Sequence, residues 1–385
     1  MGNCLRQPVV LSSVATKCRK FWLVAAFVPL SLGLSEPAVA QTCAPVPNGG
    51  TLTNAQPSTS CTGTFNTNIN FGGPTTPLPP SLTLILAPGV TTVTSPAGGN
   101  AVNLANVTSP IFPPAGGVAA TILANDATIT NTSNPGGGSQ SALRIQASGS
   151  ATIGTAANPV SGIINIIGGQ STNAIFSTVF ASVAGETASV TYTGAATPGV
   201  PDINVIAGPN SSAIQACANA GCGFSYAGTG VTPPDGNASI NAAGNFTAVG
   251  GASSFGLTAV AGGNGTANVT YRGGEINLTG GAFSTGIFAS GGGGATIATL
   301  LGTTVTVSST ASGAAGVEAF SGNGATLANV ASTIRITGPI SLRRMISGSN
   351  PPVFRSRAIS GGQLRLTTSA PALRFTVGAA SASLP

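Results

Sequence analysis

Four cysteines are the residues whose type and spacing most plainly permit chemistry after residue 40. Cys43 and Cys61 lie near the amino end, and Cys217 and Cys222 sit in the segment CANAGC. An even number of thiols in an exported chain points to disulfides. Proximity favours Cys43 with Cys61 and Cys217 with Cys222 over the two crossed connectivities. The rival reading of CANAGC as half a metal site is weak, because no second cysteine pair stands in register and the chain contains no histidine.

The same inventory tests catalysis. Lys17 and Lys20 are the only lysines, so a serine nucleophile after residue 40 lacks both imidazole and amine as a base. What remains is carboxylate chemistry of the kind that cleaves polysaccharides. It requires two carboxyl groups roughly 5–10 Å apart across the scissile bond. The candidates Asp126, Glu186, Asp202, Asp235, Glu275 and Glu318 are scattered, with no DD, DxD or ExxE pair among them. They read as isolated solvated acids. No catalytic, metal-binding or cofactor-binding residue is assigned, and no cofactor is expected. The runs Gly262-Gly263-Asn264-Gly265 and Gly291 to Gly294 precede no helical pattern and carry no lysine, so they read as turns, not phosphate cradles. They also lack the aspartate that calcium-binding repeats need in each copy.

Charge narrows the partners. Only 5% of the 385 residues are charged, against roughly 25% in an ordinary soluble domain. The formal net charge of +6 comes from the two ends. Residues 1–40 carry 4 − 1 = +3, and residues 343–385 carry six arginines and no acid. Residues 41–342 carry 3 − 6 = −3. No basic stripe exists there to neutralise phosphates, so nucleic acid is not an expected partner.

The amino-terminal charge has its own explanation. Lys17, Arg19 and Lys20 precede an apolar run from Phe21 to Leu34, and Ala38-Val39-Ala40 then offers a small-x-small cleavage pattern before Gln41. Residues 1–40 therefore read as a secretory signal, the alternative being a short membrane anchor.

Repetition supplies the elements. Segments beginning at Gly256, Gly286 and Gly316 align at intervals of 30, each opening with a Gly-apolar-x-Ala step: Leu257/Ala259, Ile287/Ala289 and Val317/Ala319. A second alternating run closes each unit at Ile276/Leu278, Val305/Val307 and Ile334/Ile336. Fainter copies open at Leu143, Ile175 and Ile214, and a weaker one at Ala101-Val102. Period-2 alternation of β-branched residues between glycines is a strand signature. A unit this short cannot bury its own apolar face, but stacked copies can. The expected fold is all-β, a parallel β-helix (β-solenoid) with an irregular, disulfide-bearing N-terminal cap. A sandwich or barrel is the alternative. The expected organisation is signal 1–40, cap 41–100, solenoid 101–338 and basic irregular tail 339–385. Some of Phe255, Phe283, Phe288 and Phe320 are expected to cap or fill the interior, with an exposed ladder for carbohydrate stacking as the alternative. Asn241, Asn245, Asn264, Asn268, Asn277, Asn323 and Asn329 are expected to stack as amide ladders.

The long signal, the Gly/Ala/Thr/Asn-rich chain, the Gly-Ile-x-Ala steps and the INLTGG motif at Ile276 to Gly281 together resemble the passenger region of a bacterial autotransporter. That resemblance implies a right-handed β-helix, exported and displayed on the cell surface or released. It would be anchored by a carboxy-terminal outer-membrane barrel. The 43 residues after Leu342 are too few for such a barrel. They carry Pro351-Pro352 and do not continue the repeat, so they read as an out-of-frame or truncated end, or as a basic tail for anionic surfaces. The expected function is a non-enzymatic exported surface or secreted protein of display or adhesion. Its expected partners are the export machinery and a surface polysaccharide or host surface, with the outer membrane reached only through a barrel absent from this chain. A polysaccharide-binding or polysaccharide-cleaving β-helix, and a non-functional fragment, are the alternatives.

Overall fold

The structure is a computed structural model that describes residues 41–72, 81–94, 99–106, 117–132, 139–180, 184–195, 197–218, 235–311, 313–322, 324–337 and the backbone of 375–377. The expected signal, Cys222, Asn323 and nearly all of the expected tail lie outside them. Among the described residues there are 28 strands, β1 to β28 in chain order, and no helix.

The strands form three sheets, and from β2 to β27 consecutive strands visit the sheets in turn. Sheet A holds β1 (Thr42–Ala44), β2 (Ser58–Thr62), β5 (Ser81–Leu86), β8 (Ala119–Ala124), β11 (Ala151–Ile153), β14 (Thr187–Thr193), β17 (Asn237–Ala243), β20 (Thr266–Tyr271), β23 (Gly294–Thr299) and β26 (Ala325–Val330). Sheet B holds β4 (Ile69–Gly72), β7 (Val102–Asn106), β10 (Gln140–Ala147), β13 (Thr172–Val179), β16 (Ser212–Ala218), β19 (Phe255–Val260), β22 (Thr285–Gly291) and β25 (Ala315–Ser321). Sheet C holds β3 (Thr64–Phe65), β6 (Thr91–Thr94), β9 (Ala127–Thr132), β12 (Gly162–Ile167), β15 (Ile203–Ile206), β18 (Phe246–Val249), β21 (Glu275–Gly280), β24 (Thr304–Ser309), β27 (Thr333–Thr337) and β28 (Phe375–Val377). Each coil contributes one strand to each sheet, and each strand pairs in parallel with its counterpart one coil away. This is a parallel β-helix. The β1–β2 pair is antiparallel.

The register reproduces the sequence alignment. Val102, Leu143, Ile175, Ile214, Leu257, Ile287 and Val317 stand in one column of sheet B, with Ile69 one rung earlier. Ile276, Val305 and Ile334 stack likewise in sheet C. Sheet A pairs two inward columns of different bulk. One is Ala120, Ala151, Ala188, Ala238, Ala267 and Ala295; the other is Ile122, Ile153, Val190, Ile240, Val269 and Ile297. All of these residues are buried. Each larger side chain contributes about 1.5–3 kcal/mol on leaving water. The alanine column is what allows the facing sheets to approach.

Glycine matters for the same reason at the opening of the β22 rung. A methyl group on Gly286 would collide with Val305 of sheet C and lie 2.7 Å from the Gly316 carbonyl oxygen. Three earlier coils carry Ala142, Ala174 and Ala213 at this step.

The parallel ladders already run through residues 58–94, ahead of residue 101, where sequence periodicity places their start. Prolines and unequal coil lengths hide those first rungs in the sequence. At the sheet A end, β1 lies antiparallel on β2 with Cys43 opposite Cys61, and the two form a disulfide. This covers an edge that would otherwise be free to pair with another chain. Closing a loop with a sequence separation of 18 is worth about 2–4 kcal/mol. Reduction, or Cys43→Ser with Cys61→Ser, is expected to lower Tm and to open the chain near residue 50 to protease first. Equal proteolysis with and without the bond would contradict that. At the other end the backbone of β28 pairs in parallel with β27, so the tail region adds a short strand to sheet C.

Between sheets A and C the core becomes aromatic. Tyr192, Ala242 and Tyr271 form one column, alternating large, small and large. Phe246 of β18 lies 5.7 Å from the Tyr192 ring and 5.8 Å from the Tyr271 ring, centroid to centroid. Tyr192 donates its hydroxyl to the Gly162 carbonyl at 2.6 Å and Tyr271 to the Gly244 carbonyl at 2.9 Å. Burial first, and nearby carboxylate charge second, push both phenol pKa values upward, so both hydroxyls stay protonated and able to donate.

Candidate functional site

Strand alternation decides which side chains the stack offers to a ligand. The outer face of sheet A presents Thr121, Thr152, Ser189, Ser239, Asn268 and Thr296 in one column. That of sheet C presents Asn165, Asn204, Thr247, Asn277, Thr306 and Arg335. Sheet B differs. Its outer column reads Asn103, Arg144, Phe176, Gln215, Thr258, Phe288 and Glu318. Beside it runs Gln146, Thr178, Cys217, Val260, Ser290 and Phe320.

Aromatic rings gather on or beside this face toward the later coils. Phe255 and Phe288 are tilted neighbours with centroids 5.4 Å apart, and both are half-buried. Phe283 and Phe320 are 44% and 46% exposed. None of the four fills the interior. The alternation forces this: Leu257 and Ile287 point inward, so Thr258 and Phe288 point outward. The four rings, some of which were expected to cap or fill the interior, are exposed or half-exposed.

The earlier coils carry an arginine on the same face. The Arg144 guanidinium lies over the Phe176 ring, 5.8 Å from its centroid. Phe176 is only 7% exposed although it belongs to an outward column, and Thr178 and Cys217 are fully buried. The Arg144 Nε is buried without a hydrogen-bond partner, and so are the Asn103 Oδ1 and the Thr178 Oγ1. Desolvation pushes the Arg144 pKa down.

The acids are placed differently. Asp202 is buried just ahead of β15, where it accepts backbone N–H groups of Asn245 at 2.7 Å and Ala195 at 2.9 Å. Asp235 accepts from the Asn264 N–H at 2.7 Å. Asp126 occupies a turn with φ 50°. Glu275 opens β21, Glu186 precedes β14, and Glu318 sits on the outer face of β25 within 3.4 Å of the Thr285 hydroxyl, which donates to it. Asp202 and Glu275 both raise the pKa of the Tyr271 phenol, after burial. Among the described residues no three His, Cys, Asp or Glu side chains group as a metal site would need. Cys217 is disulfide-bonded; its expected partner Cys222 lies outside the described residues.

Nor do Asn241, Asn268 and Asn277, expected to stack, form ladders; Asn323 lies outside the described residues. Asn268 stands between Ser239 and Thr296, Asn277 between Thr247 and Thr306, and Asn241 between Thr191 and Thr270. Asn245 clasps a corner instead, donating to the Thr197 and Val200 carbonyls at 2.6 and 3.1 Å and accepting from the Glu275 N–H. The amide ladders lie elsewhere, at Asn70/Asn103, joined at 2.8 Å, and at Asn165/Asn204.

Sequence inspection did not single out the Arg144/Phe176 pair, although the alignment of Leu143 with Ile175 places these two residues on adjacent rungs. No protein-family model, curated protein or solved structure matches the chain.

Proposed function

We propose that the chain is a non-enzymatic, exported repeat protein of surface display or adhesion, similar to an autotransporter passenger, and that it meets polysaccharide on the outer face of sheet B. The observation that carries this reading is the run of rings on that face alone. Phe255 on β19, Phe288 on β22 with Phe283 in the turn before it, and Phe320 on β25 offer flat apolar surface over three successive rungs, spaced by about 4.8 Å. A linear glycan could lie across such a surface. The buried, backbone-bonded Asp202 and the turn-bound Asp126 and Asp235 support a structural role for acids over catalysis. The signal-like residues 1–40 and the Cys43–Cys61 disulfide support export.

The test uses the chain from Gln41 onward, titrated with soluble polysaccharides by calorimetry. Phe288→Ala and Phe320→Ala are each expected to weaken binding about two- to tenfold, since one ring contact contributes about 0.5–1.5 kcal/mol. Conversion of Asp126, Glu186, Asp235, Glu275 and Glu318 to amides is expected to leave neutral-glycan binding intact; Asp202 is kept, since both its carboxylate oxygens accept backbone N–H groups. Binding indifferent to both rings would remove the assignment of this face. Glycan cleavage that disappears with one acid would make the protein an enzyme. Export is checked by amino-terminal sequencing of the secreted product, expected to begin at Gln41.

A further inference from the structure

We infer that the carboxylate of Glu318, set among Phe283, Phe288 and Phe320 in the later coils of sheet B, is a subsite for the protonated amine of an amino sugar. This rests on the polysaccharide-binding reading of the same face and adds the class of sugar to it.

This end of the face is open. Phe283 and Phe320 are 44% and 46% exposed, and Phe288, Ser290 and Glu318 are half-buried. Glu318 stands opposite Phe288 in the register and two positions before Phe320 on the same side of β25. Its Oε2 accepts the Thr285 hydroxyl at 3.4 Å. Thr285 is the rung partner of Phe255 and follows by two residues the corner that carries Phe283. The carboxylate thus reaches from its place opposite Phe288 back toward that corner.

The corner itself holds a ring outward at some cost to the backbone. Ser171, Asn210, Ser253, Phe283 and Gly313 occupy it in successive coils, all in the left-handed region. A large side chain is the least suited of the five to that conformation. Gly313 leaves room for the ring, since a methyl group there would collide with Phe283. Backbone strain retained for a ring so exposed favours a surface contact over filling of the core.

Charge selects the occupant. Among the described residues no cation faces Glu318: Arg144 is five rungs away in the same column, or about 24 Å at the strand spacing. Arg272 follows β20 of sheet A, and Arg335 lies on the outer face of sheet C. Ring faces attract a cation through their quadrupoles, and a carboxylate binds it by a charge-assisted hydrogen bond. A polyanion is repelled by Glu318, and a neutral sugar leaves its charge unanswered. A lysine side chain brings the cation without a flat face for the neighbouring rings. An amino sugar brings an ammonium group, a ring face and hydroxyl donors in one residue.

The experiment titrates the chain from Gln41 onward, at a pH where the amine is protonated, with a glucosamine oligomer, its N-acetylated counterpart, a cello-oligosaccharide, oligogalacturonate and oligolysine. The glucosamine oligomer is expected to bind about tenfold more tightly than its N-acetylated form, the scale of one partly desolvated cation contact. Glu318→Gln is expected to erase that difference, whereas Glu275→Gln, the same change of charge on sheet C, keeps it. The amine-to-acetamide comparison needs no variant, so a failure of Glu318→Gln to fold leaves the test intact. Equal affinity for the two oligomers, a preference that survives Glu318→Gln in a folded chain, or its equal loss in Glu275→Gln overturns the subsite. Tighter binding of oligogalacturonate overturns the cationic assignment, and tighter binding of oligolysine overturns the saccharide. If charged and neutral oligomers bind alike, the subsite falls while the polysaccharide reading stands; if no saccharide binds, the underlying reading falls and takes the subsite with it.

Discussion

Phe246→Ala is expected to destabilise the fold by about 3–5 kcal/mol, the usual cost of removing a large ring from a packed interior. The site leaves little room for relaxation. The ring lies between Tyr192 and Tyr271, and the small side chain of Ala242 separates those two tyrosines along their own column. Each tyrosine is also held by its hydroxyl, to Gly162 and Gly244. Neither can swing into the vacated volume without leaving a buried donor unpaired, which would add a penalty of its own. Phe288→Ala, on the outer face, removes a ring without opening the interior and is expected to cost less than half as much. Urea unfolding of the two variants beside the parent chain decides the matter. Equal losses would mean that the Tyr192-Phe246-Tyr271 stack is no tighter than the surface.

What the sequence makes legible follows from the same packing. The inward columns repeat because each interior position faces the same neighbours in every coil. That is why Leu143, Ile175, Ile214, Leu257, Ile287 and Val317 align by inspection and then pair in register. The rung at Ile69 escapes notice because coil lengths vary there and the intervening residues are rich in proline. The aromatic core is not legible. Phe246 meets Tyr192 and Tyr271 from a different sheet, so no period in the sequence relates them.

The outer face was legible in part. Once Leu257 and Ile287 are set inward, period-2 alternation requires Thr258 and Phe288 to face outward, and the expectation of interior phenylalanines neglected that step. The amide ladders failed for another reason. A ladder needs asparagines at one register position in consecutive coils, and Asn268 and Asn277 have serine or threonine beside them instead. The pairing of Arg144 with Phe176 was implied by the 143/175 alignment, but the burial of the outward Phe176 was not, because spacing does not show what covers an outer face.

Gly293→Ala is the second substitution with a large expected effect, about 3 kcal/mol or more, because overpacking here presses on backbone and not on a side chain able to turn away. Gly293 lies in the turn between β22 of sheet B and β23 of sheet A. Its N–H donates to the Gly265 carbonyl of the preceding coil at 3.0 Å. That bond draws the two turns together until a methyl on Gly293 would overlap the Asn264 carbonyl oxygen and stand 2.7 Å from its carbon. One coil later, Gly324 lies against Gly293 in the same way. The glycine runs are thus the places where successive coils touch through bare backbone, which accounts for their recurrence without any phosphate or calcium ligand. Gly273→Ala is the control, since nothing lies within 4 Å of the position its methyl would take. The expected pattern is a near-neutral Gly273→Ala beside a Gly293→Ala chain that loses amide protection first in β20, β23 and β26. Equal protection in the two variants would mean that the turns have slack, and that the glycine runs need another explanation.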